Sequence, residues 1–194
     1  MIYWLTYAVV KLILKLLCSP QVVGRENIPR KGAFILASNH QSNIDPFLLG
    51  TFSGRALNFM AKDSLFKNKV SAWLFNQWGT FPIKRDESDF KAIRETIRRL
   101  EKGIPILVFP EGTRGAQGRD KKIQAGIGLL AAKTKAPIIP VYIENSQQVL
   151  PPGSKFPKRH PVTLTFGPPV SFHPHQSYPD IAQQVVEKIY LLKS

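Results

Sequence analysis

The stretch Phe34-Ile-Leu-Ala-Ser-Asn-His40-Gln-Ser-Asn-Ile-Asp45 places one histidine and one aspartate directly after a short apolar run. The apolar run predicts a buried strand, and the polar residues behind it predict a loop. A helix is expected to begin near Asp45, because Pro46 suits a first helical position, where its missing N–H costs nothing. Open α/β sheets bind ligands just past the carboxyl ends of their strands, which is where this loop lies.

His40 and Asp45 are therefore candidates for a general base and the group that orients it. An unperturbed imidazole titrates near pH ~6.5, so a carboxylate that holds the ring can make it a base at neutral pH. The alternative interpretation is that Asp45 only caps a helix and His40 is an ordinary loop residue. The pair by itself does not decide between the two.

Length and charge restrict the classes of protein and partner. The chain has 194 residues, enough for one domain with its own core. Its 27 Lys and Arg against 13 Asp and Glu give a net charge of +14, which favours membrane lipid, phosphorylated substrates or nucleic acid as partners. Cys18 is its single cysteine, which excludes a disulfide within the chain or a cysteine-based zinc site and suits a reducing, cytoplasmic setting.

Ile2 to Leu17 form a nearly continuous apolar segment. As a helix it spans roughly 24 Å, less than the ~30 Å hydrocarbon core of a bilayer. Its two lysines would also be costly at the bilayer centre. The residues with amphipathic rings or charged ends lie along one face of the helix: Trp4, Tyr7, Lys11 and Lys15. This pattern predicts an interfacial membrane helix over residues 1–19 and a domain over 20–194. The alternative is a terminal helix packed on the domain.

Strands and helices are predicted to alternate along the remaining chain. Strands are expected over 33–38, 58–62, 79–85, 104–109, 136–143 and 162–166, and helices over 88–102, 126–135 and 178–193. The alternation predicts an α/β fold, a single domain with a mostly parallel sheet flanked by helices. In the helix over 88–102, Glu95 and Arg99 are spaced to pair, and four residues form an apolar stripe: Phe90, Ile93, Ile97 and Leu100.

Several predicted strands end at charged residues. Lys62 ends the second strand, and Lys84 and Arg85 end the third. Arginine is suited to bidentate binding of phosphate, and strand ends aim such residues into one crevice. The strand over 104–109 leads into Pro110-Glu-Gly-Thr-Arg114. Within this string Glu111 can hold a substrate hydroxyl, Arg114 can bind phosphate, and Gly112 lets the backbone approach a ligand or simply forms a turn.

Four blocks of the chain, in order, resemble the motifs of the glycerolipid acyltransferases, the family of 1-acylglycerol-3-phosphate acyltransferase. Asn39 to Asp45 resembles the first motif, Asn-His-x-x-x-x-Asp, and Gly79 to Arg85 resembles the second. Phe109-Pro-Glu-Gly-Thr-Arg114 is the third motif almost letter for letter, with Gly115 where a serine is common. Ala136 to Ile143 resembles the fourth. The resemblance covers about residues 22–172.

The resemblance implies a glycerol-3-phosphate acyltransferase-like fold and a specific reaction. An acyl group would pass from acyl-CoA or acyl-carrier protein to the free hydroxyl of 1-acylglycerol 3-phosphate, giving phosphatidic acid for phospholipid biosynthesis. His40 and Asp45 would be catalytic. The implied phosphate- and glycerol-binding residues are Arg85, Glu111, Gly112, Thr113 and Arg114. The supporting candidates are Asn39, Ser42, Lys62 and Lys84. No metal and no cofactor beyond the acyl donor is implied.

Other functions remain open at this stage. The acceptor can be another lysolipid or glycerol 3-phosphate, the same pair can act on water in a hydrolase, and a basic lipid-binding module needs no catalysis. A nucleic-acid partner is disfavoured, because no nucleic-acid motif accompanies the positive charge. The expected location is peripheral or monotopic on the cytoplasmic face of an anionic membrane surface.

Overall fold

The computed structural model describes residues 2–83, 90–112, 126–151, 153–154, 156–173 and 175–193. The described helices are α1 (Ile2–Cys18), α2 (Asp45–Phe52), α3 (Lys69–Gln77), α4 (Phe90–Glu101), α5 (Gly126–Thr134), α6 (Ser146–Val149) and α7 (Tyr178–Tyr190). The described strands are β1 (Gln21–Val23), β2 (Ile35–Ser38), β3 (Asn58–Lys62), β4 (Phe81–Ile83), β5 (Ile106–Val108), β6 (Ile138–Glu144) and β7 (Thr163–Phe166). Two short 3₁₀ helices cover Arg25–Asn27 and Asp63–Phe66.

The strands form one seven-stranded sheet in the order β1-β7-β6-β2-β5-β3-β4. The pairs from β6 through β2, β5 and β3 to β4 are parallel, and β7 is antiparallel to β6 while parallel to β1. The expectation of a mostly parallel sheet is confirmed. Because β2 and β5 are parallel neighbours in the middle of the sheet, the loops that follow them leave at the same edge.

Alternate residues of the central strands face two separate layers of the core. In β2, Ile35 and Ala37 pack in the cluster that contains buried residues of α4, α5 and α7, whereas Leu36 packs in the cluster of α1, α2 and α6. A strand buried on both faces requires an apolar residue at nearly every position, which is the pattern of β2, β5 and β6. The domain is thus a three-layer α/β structure.

Helix α7 is fixed closely against the layer beside it. Ile181, Val185 and Ile189 are buried among residues of α5 and the sheet. Gly128 of α5 permits the close approach, because a Cβ atom at this position would lie 2.1 Å from the carbonyl oxygen of Tyr178. The position of α7, and of the side chains at its end, is therefore determined by the core.

Helix α4 confirms one prediction and corrects another. Glu95 accepts hydrogen bonds from Arg98 at 2.8 Å and from Arg99 at 2.7 Å. Phe90, however, is exposed, and the fully buried positions of α4 are Ala92, Thr96 and Leu100. The predicted stripe placed Phe90 on this face, but at 3.6 residues per turn it lies about a third of a turn from the centre of the buried residues.

Helix α1 has one packed side and one exposed side. The Tyr7 hydroxyl donates to the carbonyl oxygen of Thr51 in α2 at 2.7 Å, and Leu14 and Cys18 are buried in the core. The opposite side exposes large apolar residues, which are Leu5, Val9, Leu12, Ile13 and Leu16. Among the residues that the structure describes, no helix is both long and apolar enough to cross a bilayer. The predicted helix is confirmed, and its membrane contact stays a prediction.

Candidate active site

The loop between β2 and α2 brings His40 and Asp45 into direct contact. Nδ1 of His40 lies 2.8 Å from Oδ2 of Asp45. The imidazole ring stacks on Phe109, with ring centroids 4.0 Å apart and planes inclined by 18°. Only 8% of His40 and none of Asp45 is exposed, so the contact between them is shielded from bulk water. Both the loop position and the pairing are as the sequence predicts.

The Asp45 carboxylate is held by the backbone of its own loop. Its Oδ2 accepts hydrogen bonds from the amides of Gln41 at 2.7 Å and Ser42 at 2.8 Å, and its side chain is fully buried. The residue also opens α2, where the helix dipole favours a negative charge. Ile44, rather than Asp45, is the N-cap, and Pro46 is therefore the second helical residue and not the first. The carboxylate orients the histidine loop rather than capping α2.

Asn39 and Ser42 hold the loop to neighbouring backbone. The Asn39 side chain donates to the carbonyl oxygen of Ile143 at 2.8 Å and accepts from the Ile143 amide at 2.7 Å. The Ser42 hydroxyl donates to the carbonyl oxygen of Leu150 at 2.8 Å. Sequence reasoning left open whether these residues position the loop or polarise a substrate carbonyl. Their hydrogen bonds favour positioning.

Glu111 lies just beyond the end of β5, at the same sheet edge as His40. It is 6% exposed, and its Oε1 accepts a hydrogen bond from the Tyr190 hydroxyl at 2.5 Å. Gly112 follows with a φ of 69°, a left-handed conformation that glycine adopts at little cost. The turn role of Gly112 is thus confirmed, whereas backbone approach to a ligand stays a prediction.

The predicted cations are mostly outside the part of the chain that the structure describes. Lys62 ends β3 and is exposed at the same edge as the histidine loop. Lys84, Arg85, Thr113 and Arg114 fall outside the described residues. Their predicted roles in phosphate and glycerol binding therefore rest on the sequence.

Two tyrosines near the site were not identified from the sequence. Tyr142 of β6 and Tyr190 of α7 form an edge-to-face ring pair with centroids 5.8 Å apart. Burial raises the pKa of the Tyr142 hydroxyl, the charges of Glu144 and Glu111 raise it further, and a hydrogen bond with the Gln41 side chain acts in the opposite direction. Tyr142 lies near the carboxyl end of a parallel strand, and this position in the sequence could have indicated a site residue. The residues around Tyr190 give no such indication.

Comparison with known proteins assigns the family. The family model described as Acyltransferase matches residues 19–144, which include His40, Asp45 and Glu111. The chain belongs to the acyltransferase family. Tyr190 lies beyond the matched region of this family. Assignment to a family fixes neither the acceptor nor the donor, for which individual relatives are more informative.

Among acyltransferase relatives, a chloroplast 1-acyl-sn-glycerol-3-phosphate acyltransferase of Brassica napus is 31% identical over 137 residues, 69% of this chain and 40% of its own length. The chain therefore spans well under half of that relative. A 1-acyl-sn-glycerol-3-phosphate acyltransferase of Bacillus subtilis is 28% identical over 82% of this chain and 78% of its own length. The crystal structure of the 1-acyl-sn-glycerophosphate acyltransferase of Thermotoga maritima superposes with a TM-score of 0.79 at 27% identity, covering 95% of this chain and 77% of that one.

Proposed function

We propose that this protein transfers an acyl group from acyl-CoA or acyl-carrier protein to the free hydroxyl of 1-acylglycerol 3-phosphate, producing phosphatidic acid for phospholipid biosynthesis. The observation that carries the proposal is the 2.8 Å contact between Nδ1 of His40 and the buried Asp45 carboxylate. The relatives named above, which are 1-acyl-sn-glycerol-3-phosphate acyltransferases, support this acceptor.

The contact determines how His40 acts. Because the Asp45 carboxylate accepts the Nδ1 proton, the lone pair of the ring is on Nε2. Nε2 takes the proton of the acceptor hydroxyl while the hydroxyl oxygen attacks the thioester carbonyl. The carbon–sulfur bond then breaks, and the departing thiolate receives the proton from the imidazolium. Asp45 stabilises the imidazolium between these steps, and base assistance of this kind contributes roughly 10²–10⁴-fold in rate.

Direct transfer, without an acyl-enzyme, agrees with the state of the cysteine. Cys18 is fully buried at the end of α1, and burial raises its pKa to about 11. At neutral pH it is a thiol, and the thiolate is the nucleophilic form. The sequence also lacks the Gly-x-Ser-x-Gly string of a serine nucleophile elbow.

The acceptor would bind along the sheet edge between the histidine loop and the turn after β5. Arg85 and Arg114 would bind its phosphate, with Lys62 and Lys84 adding positive charge nearby. Glu111 would hold a glycerol hydroxyl, and the backbone of Gly112 and Thr113 would border the same pocket. The parallel register of β2 and β5, which delivers His40 and Glu111 to one edge, supports this arrangement.

We further propose that α1 rests on the cytoplasmic face of a membrane. Its exposed side includes Leu5 and Leu16, which are 66% and 61% exposed, while Lys11 and Lys15 lie exposed on the same helix. An amphipathic helix of this kind buries its apolar side at the acyl boundary and keeps its lysines among anionic headgroups. The net charge of +14 also favours binding to anionic headgroups.

Helix α2 connects this membrane contact with the site. Its first residue is Asp45, and near its end the carbonyl oxygen of Thr51 accepts the hydrogen bond from Tyr7 of α1. An eight-residue helix is ~12 Å long. With α1 on a bilayer, the site would lie within reach of its surface, which suits an acceptor and a product that both carry acyl chains.

The test is to measure thiol release from acyl-CoA with and without lysophosphatidic acid. We expect release that depends on the acceptor, with one phosphatidic acid formed per thiol. Equal release without an acceptor would indicate hydrolysis by water. No release with either acyl-CoA or acyl-carrier protein as the donor would reject acyl transfer. Glycerol 3-phosphate in place of lysophosphatidic acid tests the main alternative acceptor, and an acyl-carrier protein in place of CoA tests the donor.

A further inference from the structure

Helix α7 contacts the candidate site through a hydrogen bond between Tyr190 and Glu111. Tyr190, the final residue of α7, donates its hydroxyl to Oε1 of Glu111 at 2.5 Å, across 79 positions of sequence. A carboxylate as buried as Glu111 requires such donors, because leaving it without hydrogen bonds is costly. An O–H to carboxylate bond is also among the stronger hydrogen bonds in proteins.

The hydrogen bond from Tyr190 orients the Glu111 carboxylate as well as stabilising its charge. A glutamate side chain is flexible and can point away from a substrate unless contacts hold it. The Tyr190 ring is held edge-to-face against Tyr142, and α7 is packed into the core along its length. These contacts fix the position of the donor, and its hydrogen bond orients the Glu111 carboxylate.

Tyr142 connects this pair to the histidine loop. Its ring packs edge-to-face on that of Tyr190, and the charge of Glu111 helps to raise the pKa of its hydroxyl. Gln41 follows His40 directly, and its amide binds Asp45. Tyr142, within the fourth motif block, and Tyr190, beyond all four blocks, therefore pack together beside Glu111.

We propose that Tyr190 is a positioning residue for the acceptor, holding Glu111 in the orientation that binds the glycerol hydroxyl, so that α7 completes the acceptor site. This inference rests on the proposed function and extends it to a helix outside the region that the family model matches. The acyl donor does not need this bond. The predicted effect is therefore confined to the acceptor.

The experiment compares steady-state kinetics of Tyr190→Phe and the wild type for both substrates. We expect Tyr190→Phe to lower kcat/KM for lysophosphatidic acid by roughly 10-fold, the effect of losing one charged hydrogen bond. The KM for acyl-CoA should be unchanged, while the melting temperature should fall by a few degrees, because a buried carboxylate loses a hydrogen-bond donor. The matched control is Tyr178→Phe, which removes an exposed tyrosine hydroxyl at the start of the same helix and should leave both constants as in the wild type.

A double-mutant cycle with Glu111→Gln separates positioning from general stabilisation. If Tyr190 acts through Glu111, adding Tyr190→Phe to Glu111→Gln should change acceptor kcat/KM by less than about 2-fold. Additive losses, an equal effect on acyl-CoA, or unchanged acceptor kinetics in Tyr190→Phe would each overturn the assignment. A wild-type protein without acceptor-dependent thiol release would overturn the proposed function and this assignment with it.

Discussion

Two regions of the molecule depart from the usual inside–outside distribution in opposite directions. The carboxyl edge of β2 and β5 buries polar residues, including His40, Asp45 and Glu111, whereas α1 exposes leucines and a tryptophan. These three side chains bond within the chain: Oδ2 of Asp45 contacts His40 and accepts from the Ser42 amide, and Oε1 of Glu111 accepts from Tyr190. The apolar side of α1 faces outward instead. Buried polar groups and exposed apolar patches are the informative deviations from a typical surface. Here they motivate the proposed chemistry in one region and the proposed lipid contact in the other.

If the two regions have separate roles, substitutions at the sheet edge should affect acyl transfer and not vesicle binding. Substitutions on the exposed side of α1 should affect vesicle binding and not the chemical step. The largest expected effect is that of His40→Ala, which should lower acyl transfer by roughly 10²–10⁴-fold because the base is lost. Vesicle binding should be unchanged. His40 is buried and stacked on Phe109, so the variant should also lose ~1–2 kcal/mol of stability.

His40→Gln, which fills more of the space, is the control for that packing loss. Initial rates and chemical denaturation measure the two effects independently. A folded His40→Ala protein with activity within a few-fold of the wild type would remove His40 from the mechanism.

Asp45→Asn should have the next largest effect within the buried region. The amide keeps the size of the carboxylate but loses the charge that stabilises the imidazolium. We expect a rate loss of roughly 10- to 100-fold, milder than that of His40→Ala because the base remains. Weaker bonds from the Gln41 and Ser42 amides should lower stability by ~1–2 kcal/mol. A greater rate loss than in His40→Ala would show that Asp45 does more than orient the ring.

Leu12→Ser tests the exposed region. Removing a leucine that enters the acyl boundary should weaken binding to anionic vesicles roughly 10-fold, measured by flotation at fixed salt. Leu191→Ser, at another exposed leucine, is the matched control and should not change binding. Activity on a short-chain, water-soluble acceptor should be unchanged in both. Equal flotation of Leu12→Ser and wild type would place the membrane contact elsewhere.

A point substitution is a sharper test than deleting residues 1–17. Leu14 lies in the core and Tyr7 is bonded to α2, so the deletion would also destabilise the domain. Loss of vesicle binding in the truncated protein would then have two explanations.

The smallest effect is expected from a carboxylate outside both regions. Arg98 and Arg99 lower the pKa of Glu95 from 4.5 to about 2. Because the folded-state pKa is lowered, the stabilisation is present above the unfolded value and is lost as pH falls from about 4.5 to about 2. Glu95→Gln should therefore cost no more than ~1 kcal/mol at neutral pH, since the pair is partly exposed.

Denaturation of Glu95→Gln and wild type at a series of pH values measures this difference. The difference in unfolding free energy between the two proteins should disappear toward pH 2. Activity and vesicle binding should be unaffected. A gap that is constant with pH would show that the ion pair is not its cause.

The sequence predicted the parts of the molecule that depend on local pattern. The strand before His40, its pairing with Asp45, and the Glu95–Arg99 contact all follow from spacings of five residues or fewer. The boundaries were also close for long periodic elements: the helix predicted over 178–193 is Tyr178–Tyr190. Phe90 was misplaced because a short apolar set fits more than one helical face.

The parts that were not predicted depend on contacts between distant residues. Nothing near Tyr190 indicates that it meets Glu111, because the contact follows from the packing of α7 on the sheet. The antiparallel pairing of β7 with β6 likewise depends on how the chain returns after α6. The positioning roles of Asn39 and Ser42 depend on hydrogen bonds to Ile143 and Leu150, which lie more than 100 positions away in the sequence.

The most direct test of the central claim, that His40 deprotonates the acceptor and the acyl group passes directly to it, is an intact-mass measurement. Wild-type protein is incubated with acyl-CoA alone, its mass is recorded, and lysophosphatidic acid is then added. The account predicts an unmodified protein before the addition, followed by equal amounts of thiol and phosphatidic acid. A protein carrying one acyl group before the acceptor is added, and losing it afterwards, would contradict direct transfer and show that a side chain acts as the nucleophile.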